Sequence, residues 1–353
     1  MVVHHWDTLS EAQKLTQSVL IPGVIEESIY RNPPLALGMP VAWTPGQTIK
    51  YNRENATMVG QTAGIDIGDQ LSWSSNITYD QKEVTLKRRY VQRIVDNFIP
   101  DVYGTINNYE AIVLQECKKG VYVDINDLII YGDLTYSTSN KEFDGLHAWA
   151  AEQGTPATSG TGLNYDGESA GLNLSKMRAM IDTMKREVDA LLFPFELARR
   201  LSASLQEVGG EATGIFTSRG QISQLSYGIN DVGKRVAFWD GIPIVPTDYL
   251  VAEEDGTGTG STTNARAKYS SDSTFSIFGI KFGNVYMGEP GLMYGFGATD
   301  MAGDMYRVDY FEKLEDYDAS GIRVVSYGAV LLGSKYGLCR MFDVDDDDVI
   351  IST

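Results

Sequence analysis

The sequence predicts an α+β fold, and three features carry the prediction. Residues 47–92 alternate apolar and polar side chains on both sides of a polar, glycine-containing tip, the pattern of a long β-hairpin. Residues 174–189 place apolar side chains at spacings of three and four, the pattern of a helix packed on one face. From residue 275 to the end, alternating and continuous apolar runs read as strands.

Residues 9–30 read as an N-terminal arm. Leu15, Val19 and Leu20 are spaced helically until Ile21-Pro22-Gly23 breaks the pattern, and Arg31-Asn32-Pro33-Pro34 and Met39-Pro40 follow. So many prolines suit an extended segment lying on something else; an irregular linker is the plainer reading. The hairpin goes out through Gln47-Thr48-Ile49-Lys50-Tyr51. It returns through Ile77-Thr78-Tyr79, then Val84, Leu86, Arg88 and Tyr90 at spacing two. An excursion with so weak an apolar face packs on another subunit or is mobile.

A helix is expected over 104–131, with Ile106, Tyr109, Val113 and Cys117 on one stripe and an interruption at Gly120 and Val121-Tyr122-Val123. Asp127-Leu128-Ile129-Ile130-Tyr131-Gly132-Asp133 then leads to Phe143-Asp144-Gly145-Leu146, and a Gly/Ser/Thr-rich loop runs from Gly154 to Gly171. The 174–189 helix has Asn173 as its cap. Ala190–Pro194 reads as a buried strand, Phe195–Leu205 as a second helix, and Phe238–Pro246 as a turn into a buried strand. Residues 253–274 read as a flexible loop that starts Glu253-Glu254-Asp255. No internal repeat or coiled coil is evident.

Composition narrows function. Acids outnumber bases 47 to 29, a formal charge of −18, which excludes a generic nucleic-acid coat. No apolar run reaches the length of a membrane span. Met1 to Trp6 lacks a basic stretch followed by an apolar one, so no secretory signal is expected. Two cysteines, Cys117 and Cys339, fit a reducing compartment rather than a disulfide framework. With only His4, His5 and His147, most acid–base and zinc chemistry lacks its residues.

The motifs weigh against enzymatic chemistry. Gly167-Glu168-Ser169-Ala170-Gly171 matches the G-x-S-x-G nucleophile elbow of a soluble hydrolase. In that elbow the serine follows a strand and the histidine comes later in the chain. Residues 162–166 make no convincing strand, and all three histidines precede Ser169; a small-residue loop is the plainer reading. Gly228–Lys234 reads G-x-x-x-x-G-K, but Arg235 stands where magnesium needs a hydroxyl. The Gly256, Gly258, Gly260 run has the wrong spacing for a dinucleotide site. Asp343 and Asp345 to Asp348 lack the glycine and glutamate of a calcium loop and read as a solvated tail. No catalytic, cofactor or metal residue is assigned. One charge pattern stands out: between Glu54 and Gln81 every charged residue is acidic (Glu54, Asp66, Asp69, Asp80), whereas 82–93 holds Lys82, Lys87, Arg88, Arg89 and Arg93 against Glu83. Either these are two solvated faces, or the tip of one copy meets the base of another.

The order of segments resembles the major capsid proteins of tailed bacteriophages, the Hong Kong 97-type shell fold. The resemblance rests on an arm, an extended hairpin, a helix at about 104–130, and four stretches. These are Asp127–Asp133 followed by Phe143–Leu146, Ala190–Leu205, Trp239–Pro246 and Tyr306–Phe342 with Tyr327-Gly328-Ala329-Val330 near its middle. It implies an N-terminal arm (1–46), an extended loop (47–92), a peripheral domain with a spine helix (93–189 and 306–353) and an axial domain (190–305). It implies a non-enzymatic protein that forms hexamers and pentamers of an icosahedral shell around double-stranded DNA bound without sequence specificity. No cofactor or membrane is involved; a portal and a separate scaffolding protein are partners, the latter because the chain starts without a scaffolding extension. The location implied is the virion, assembled in host cytoplasm. An encapsulin-like compartment is the alternative. Asp66, Asp69, Lys87, Arg88, Arg89 and Arg93 are the implied inter-subunit contacts. Some members join subunits by a Lys–Asn isopeptide from the hairpin tip to the closing strands. Residues 54–81 contain no lysine and no asparagine follows Asn284, so that chemistry is not expected here.

Overall fold

The computed structural model describes residues 29–56, 64, 66–70, 78–98, 109–134, 141–151, 163–208, 225–229, 235–253, 274–298, 303–314 and 318–350. Three sheets and four helices organise them. The first sheet has five strands: β1 (Val41–Trp43), β4 (Lys87–Asp96), β11 (Leu292–Phe296), β12 (Tyr306–Phe311) and the long β13 (Ala319–Leu332), which pairs with β4, β11 and β12. The second has seven strands in the order β5 (Asn164–Ala170), β14 (Leu338–Asp345), β10 (Thr274–Ile280), β6 (Ala190–Pro194), β9 (Ile242–Thr247), β8 (Arg235–Trp239) and β7 (Leu225–Ile229). The third is the antiparallel pair β2 (Thr48–Ala56) and β3 (Thr78–Thr85), in register from Thr48↔Thr85 outward. The helices are α1 (Tyr109–Tyr131), α2 (Leu146–Ala151), α3 (Leu174–Thr183) and α4 (Phe195–Val208).

Helix α1 lies along β4 and β13, burying Cys117, Val121, Ile125 and Leu128, residues three or four apart. It runs unbroken through the expected interruption. A β-branched residue costs a helix only a few tenths of a kcal/mol, and burial of Val121 outweighs that. Residues 127–131 are the last turns of this helix, not a separate stretch after it. The chain then crosses itself: Gly145 donates to the Gly132 carbonyl at 2.8 Å. A Cβ on Gly145 would lie 2.4 Å from the Leu128 carbonyl oxygen, and one on Gly132 would lie 2.3 Å from that of Phe143. Both positions need glycine for close approach of two backbones.

Helix α3 starts where expected: the Asn173 side chain accepts from the N–H groups of Ser175 and Lys176 at 3.0 and 3.1 Å. It ends at Thr183 rather than 189. Met184 and Val188 still enter the core, from an extended segment that leaves Lys185, Arg186 and Glu187 in solvent. Residues 164–170, expected as loop, form β5, paired in parallel with β14. The acidic end is no solvated tail either. Asp343 is buried, and Asp346 accepts from Arg200 on α4 at 2.7 Å.

Two hydrophobic clusters share the middle strands of the seven-stranded sheet. Alternate residues point to opposite faces: Leu192, Phe278 and Leu338 join the cluster of α1, α2 and the five-stranded sheet, while Leu191, Phe193, Ile277, Cys339 and Met341 join that of α3 and α4. Sheet membership does not follow the 93–189/190–305 division. β11 belongs to the five-stranded sheet; β5 and β14 belong to the seven-stranded one.

Candidate inter-subunit surfaces

The root of the hairpin is part of the body. Ile49 and Leu86 are buried, and the Leu86 N–H donates to the Gln47 carbonyl at 2.8 Å. Beyond the root one face of the ladder is in solvent, where Lys50 pairs with Glu83 at 2.9 Å and Tyr79 is exposed, while Tyr51 and Val84 on the other face still pack against the core. Asp66 and Asp69 lie at the tip, both exposed, joined by a turn in which the Asp66 N–H donates to Asp69 Oδ2 at 3.1 Å. Ile67 between them is fully exposed. Glu54 and Asp80 flank the same ladder, so the described charges from 54 to 81 are all negative.

The basic residues belong to another sheet. The alternating run that returns along the hairpin breaks at Leu86, and Lys87, Arg88, Arg89 and Arg93 lie on β4, ladder-paired to β13. Their alternation splits them. Arg89 turns towards α1 and forms a bidentate pair with Asp124, at 2.6 and 2.7 Å. That pair and its charge keep the Arg89 pKa raised. Arg89 is therefore occupied within its own chain. Arg88 and Arg93 are exposed, and Arg88 lies over the Tyr90 ring at 5.9 Å. A cleft of about 1440 Å³ opens beside Arg88, lined by Lys87, Arg88, Arg89, Tyr90, Arg307 and Tyr327 among others, and Arg93 lies outside it. The β2–β3 ladder that leads to the acidic turn and the basic strand β4 thus belong to different sheets.

The described part of the arm lies on its own subunit. Arg31 grips Asp248 with Nε and Nη2, both at 2.9 Å, and its guanidinium sits 3.7 Å over the Phe195 ring. Leu35 donates its N–H to Asn126 of α1 at 3.0 Å, and β1 adds a parallel strand to β11. The proline-rich stretch from residue 29 is thus a strap across both sheets, and residues 1–28 lie outside the described residues.

Sequence reading missed the most concentrated polar site. Glu253, read as the start of a flexible loop, is buried between the sheets. Its Oε1 is 2.7 Å from His147 Nε2 and accepts from Tyr131 at 3.0 Å. Its Oε2 accepts from Ser276 at 2.6 Å and from Arg340 at 3.0 Å. Burial alone would raise its pKa; His147, Arg340 and Ser276 outweigh that and hold the carboxyl at about 2. The site ties α1, α2, β10 and β14 together. Nothing local in the sequence marks it, because its five members come from five separate segments.

The G-x-S-x-G serine is structural. Ser169 donates both its N–H and its hydroxyl to Asp343 Oδ2, each at 2.9 Å. Glu168, Ser169 and Asp343 all have positive φ, at the register shift between β5 and β14. His147, the one histidine among the described residues, bonds to Glu253 rather than to Ser169. Gly228 of the G-x-x-x-x-G-K match lies on β7, and residues 230–234 lie outside the described residues.

No protein-family model matches the chain, and no curated protein matches it. Solved structures match it over nearly its full length. The SrpI encapsulin of Synechococcus elongatus PCC 7942 is 11% identical with a TM-score of 0.65, and the match covers 98% of each chain. The capsid of the native GTA particle is 9% identical with a TM-score of 0.60, covering 95% of this chain and 97% of that one. The capsid of the cyanophage P-SCSP1u is 10% identical with a TM-score of 0.54, covering 94% and 93%. The chain has the Hong Kong 97-type shell fold.

Proposed function

We propose that this chain is a major capsid protein, which assembles through hexamers and pentamers into an icosahedral shell around double-stranded DNA. The observation that carries the reading is the β2–β3 hairpin, whose described side chains from Glu54 to Gln81 lie in solvent, on a fold matched over nearly its full length by capsid subunits. Repetition suits such a projection, because weak interfaces reinforce one another in a closed assembly. A scaffolding protein and a portal are its partners under this reading, the virion is its location, and its role is structural rather than enzymatic. A charge of −18 suits a wall that encloses DNA rather than coats it. The encapsulin match supports a second reading, a compartment for cargo protein. Electron microscopy of the expressed chain, with and without a scaffolding protein, tests assembly. A monomer under every condition overturns both readings; particles that carry cargo protein and no DNA favour the second.

Two further results are expected. Particles boiled in denaturant with reducing agent run as one band near 38.9 kDa, because the tip has no lysine and the closing strands have no asparagine; a covalent ladder refutes this. In the second, the acidic tip of one copy (Asp66, Asp69) sits against the basic strand of the next, with Arg88 exposed for it on the face turned away from α1 and Arg93 on the opposite face. Each exposed pair is worth only ~0–1 kcal/mol, and 1 M salt shrinks the Debye length to about 3 Å. Arg88→Glu therefore slows assembly at low salt while leaving the fold intact, and Asp66→Lys with Asp69→Lys partly restores it. Arg89→Glu instead destabilises the subunit itself, by placing two carboxylates together at Asp124. Light scattering of assembly separates these outcomes; unchanged assembly of Arg88→Glu at low salt removes the contact.

A further inference from the structure

The hairpin meets the body through an apolar root, with Tyr51 and Val84 partly buried beside it, and through polar ties to the end of β13. Its apolar root, Ile49 and Leu86, is held by contacts with no directional preference. The directional ties come next along the strand. Tyr51 and Arg53 sit on the same face of β2. Tyr51 Oη donates to the carbonyl of Leu332, the last residue of β13, at 2.8 Å. Arg53 Nη2 donates to the same carbonyl and lies 3.3 Å from Tyr51 Oη. The Arg53 guanidinium also stands 5.3 Å from the ring centre of Trp149 on α2. Glu54, the next residue, is already in solvent.

We propose that Tyr51 and Arg53 form a latch that fixes the hairpin angle, and that the latch senses the spacing between α2 and β13. One carbonyl receives both donors, so a small shift of the end of β13 loosens both bonds at once. The aromatic floor of the latch, Trp149, lies two residues beyond His147, which is bound into the Glu253 cluster. A movement of α2 against the five-stranded sheet therefore releases the hairpin, and a fixed α2 holds it. Each hydrogen bond removed shifts the latched-to-released ratio by roughly 2- to 12-fold. The latch is a property of the single chain and is tested on it.

Spin labels at Asp66→Cys and Glu187→Cys report the hairpin angle in the unassembled chain, since both positions are exposed and the native thiols Cys117 and Cys339 are buried. Tyr51→Phe with Arg53→Gln broadens the distance distribution measured by pulsed electron resonance. Lys50→Ala, which breaks only the exposed pair to Glu83, leaves it unchanged. Each variant is compared at matched thermal stability, with Arg53→Lys as the milder change should the double variant fail to fold. A distribution as narrow as the parent's in both latch variants overturns the latch.

Discussion

Glu253→Gln is expected to destabilise the subunit by about 3–5 kcal/mol, the range for breaking a buried ion pair from one side. Glutamine has nearly the same shape but no charge, so Arg340 stays buried without its anion. Its amide also presents a donor where Glu253 accepts from Tyr131, Ser276 and Arg340. The effect depends on pH with a definite sign. The folded carboxyl is held at about 2, below the ~4.3 of an unfolded glutamate. A group with a depressed folded pKa contributes its full stability above the unfolded value and loses it as pH falls through the folded one. The gap between parent and Glu253→Gln is therefore largest from about pH 5 to 7 and closes as pH approaches 2. Urea unfolding midpoints of both proteins at pH 7, 4 and 3 measure it. A gap under ~1 kcal/mol, or one that does not narrow with acid, contradicts the assignment.

The cluster shows what a single sequence makes legible and what it hides. Elements with local periodicity were readable: the cap at Asn173, the buried strand Ala190–Pro194, the start of α4 and the two limbs of the hairpin. Errors came where tertiary packing overrode local pattern. Val121 and Val123 suggested a break, but the sheet beneath α1 buries that face and carries the helix through. Met184 and Val188 kept helical spacing after the helix had ended, because an extended segment can deliver the same side chains to the same core. The return limb looked like one strand, yet Leu86 divides it between two sheets, and that division gives Arg89 to α1 and leaves Arg88 outside. Composition pointed to Glu253 only as one of three acids in a row, a pattern that ordinarily means solvent.

Gly132 and Gly145 stand in two of the stretches that carry the family resemblance, and packing gives their crossing between α1 and α2 a physical reason and a large predicted effect. A methyl group on residue 145 would meet three backbone atoms: the Leu128 oxygen at 2.4 Å, the Ile129 oxygen at 2.7 Å and the Gly132 nitrogen at 2.8 Å. None is the end of a flexible side chain, so the two segments must separate. Gly145→Ala is expected to cost at least the ~1–3 kcal/mol of ordinary core overpacking, and to move α2 away from α1. That displacement carries His147 from Glu253 and Trp149 from Arg53, so joint and hairpin loosen together. Gly120→Ala is the control within the same helix. Its Cβ would meet only Val91 Cγ2, at 3.8 Å, an ordinary contact. The gain in helix propensity then stabilises the chain by up to about 1 kcal/mol. Denaturation midpoints set the two against each other, and hydrogen exchange along β2 and β3 reports whether the hairpin loosens. Equal stability of Gly145→Ala and parent would show that the backbones do not touch, and damage from Gly120→Ala would show that α1 lies closer to β4 than the structure places it.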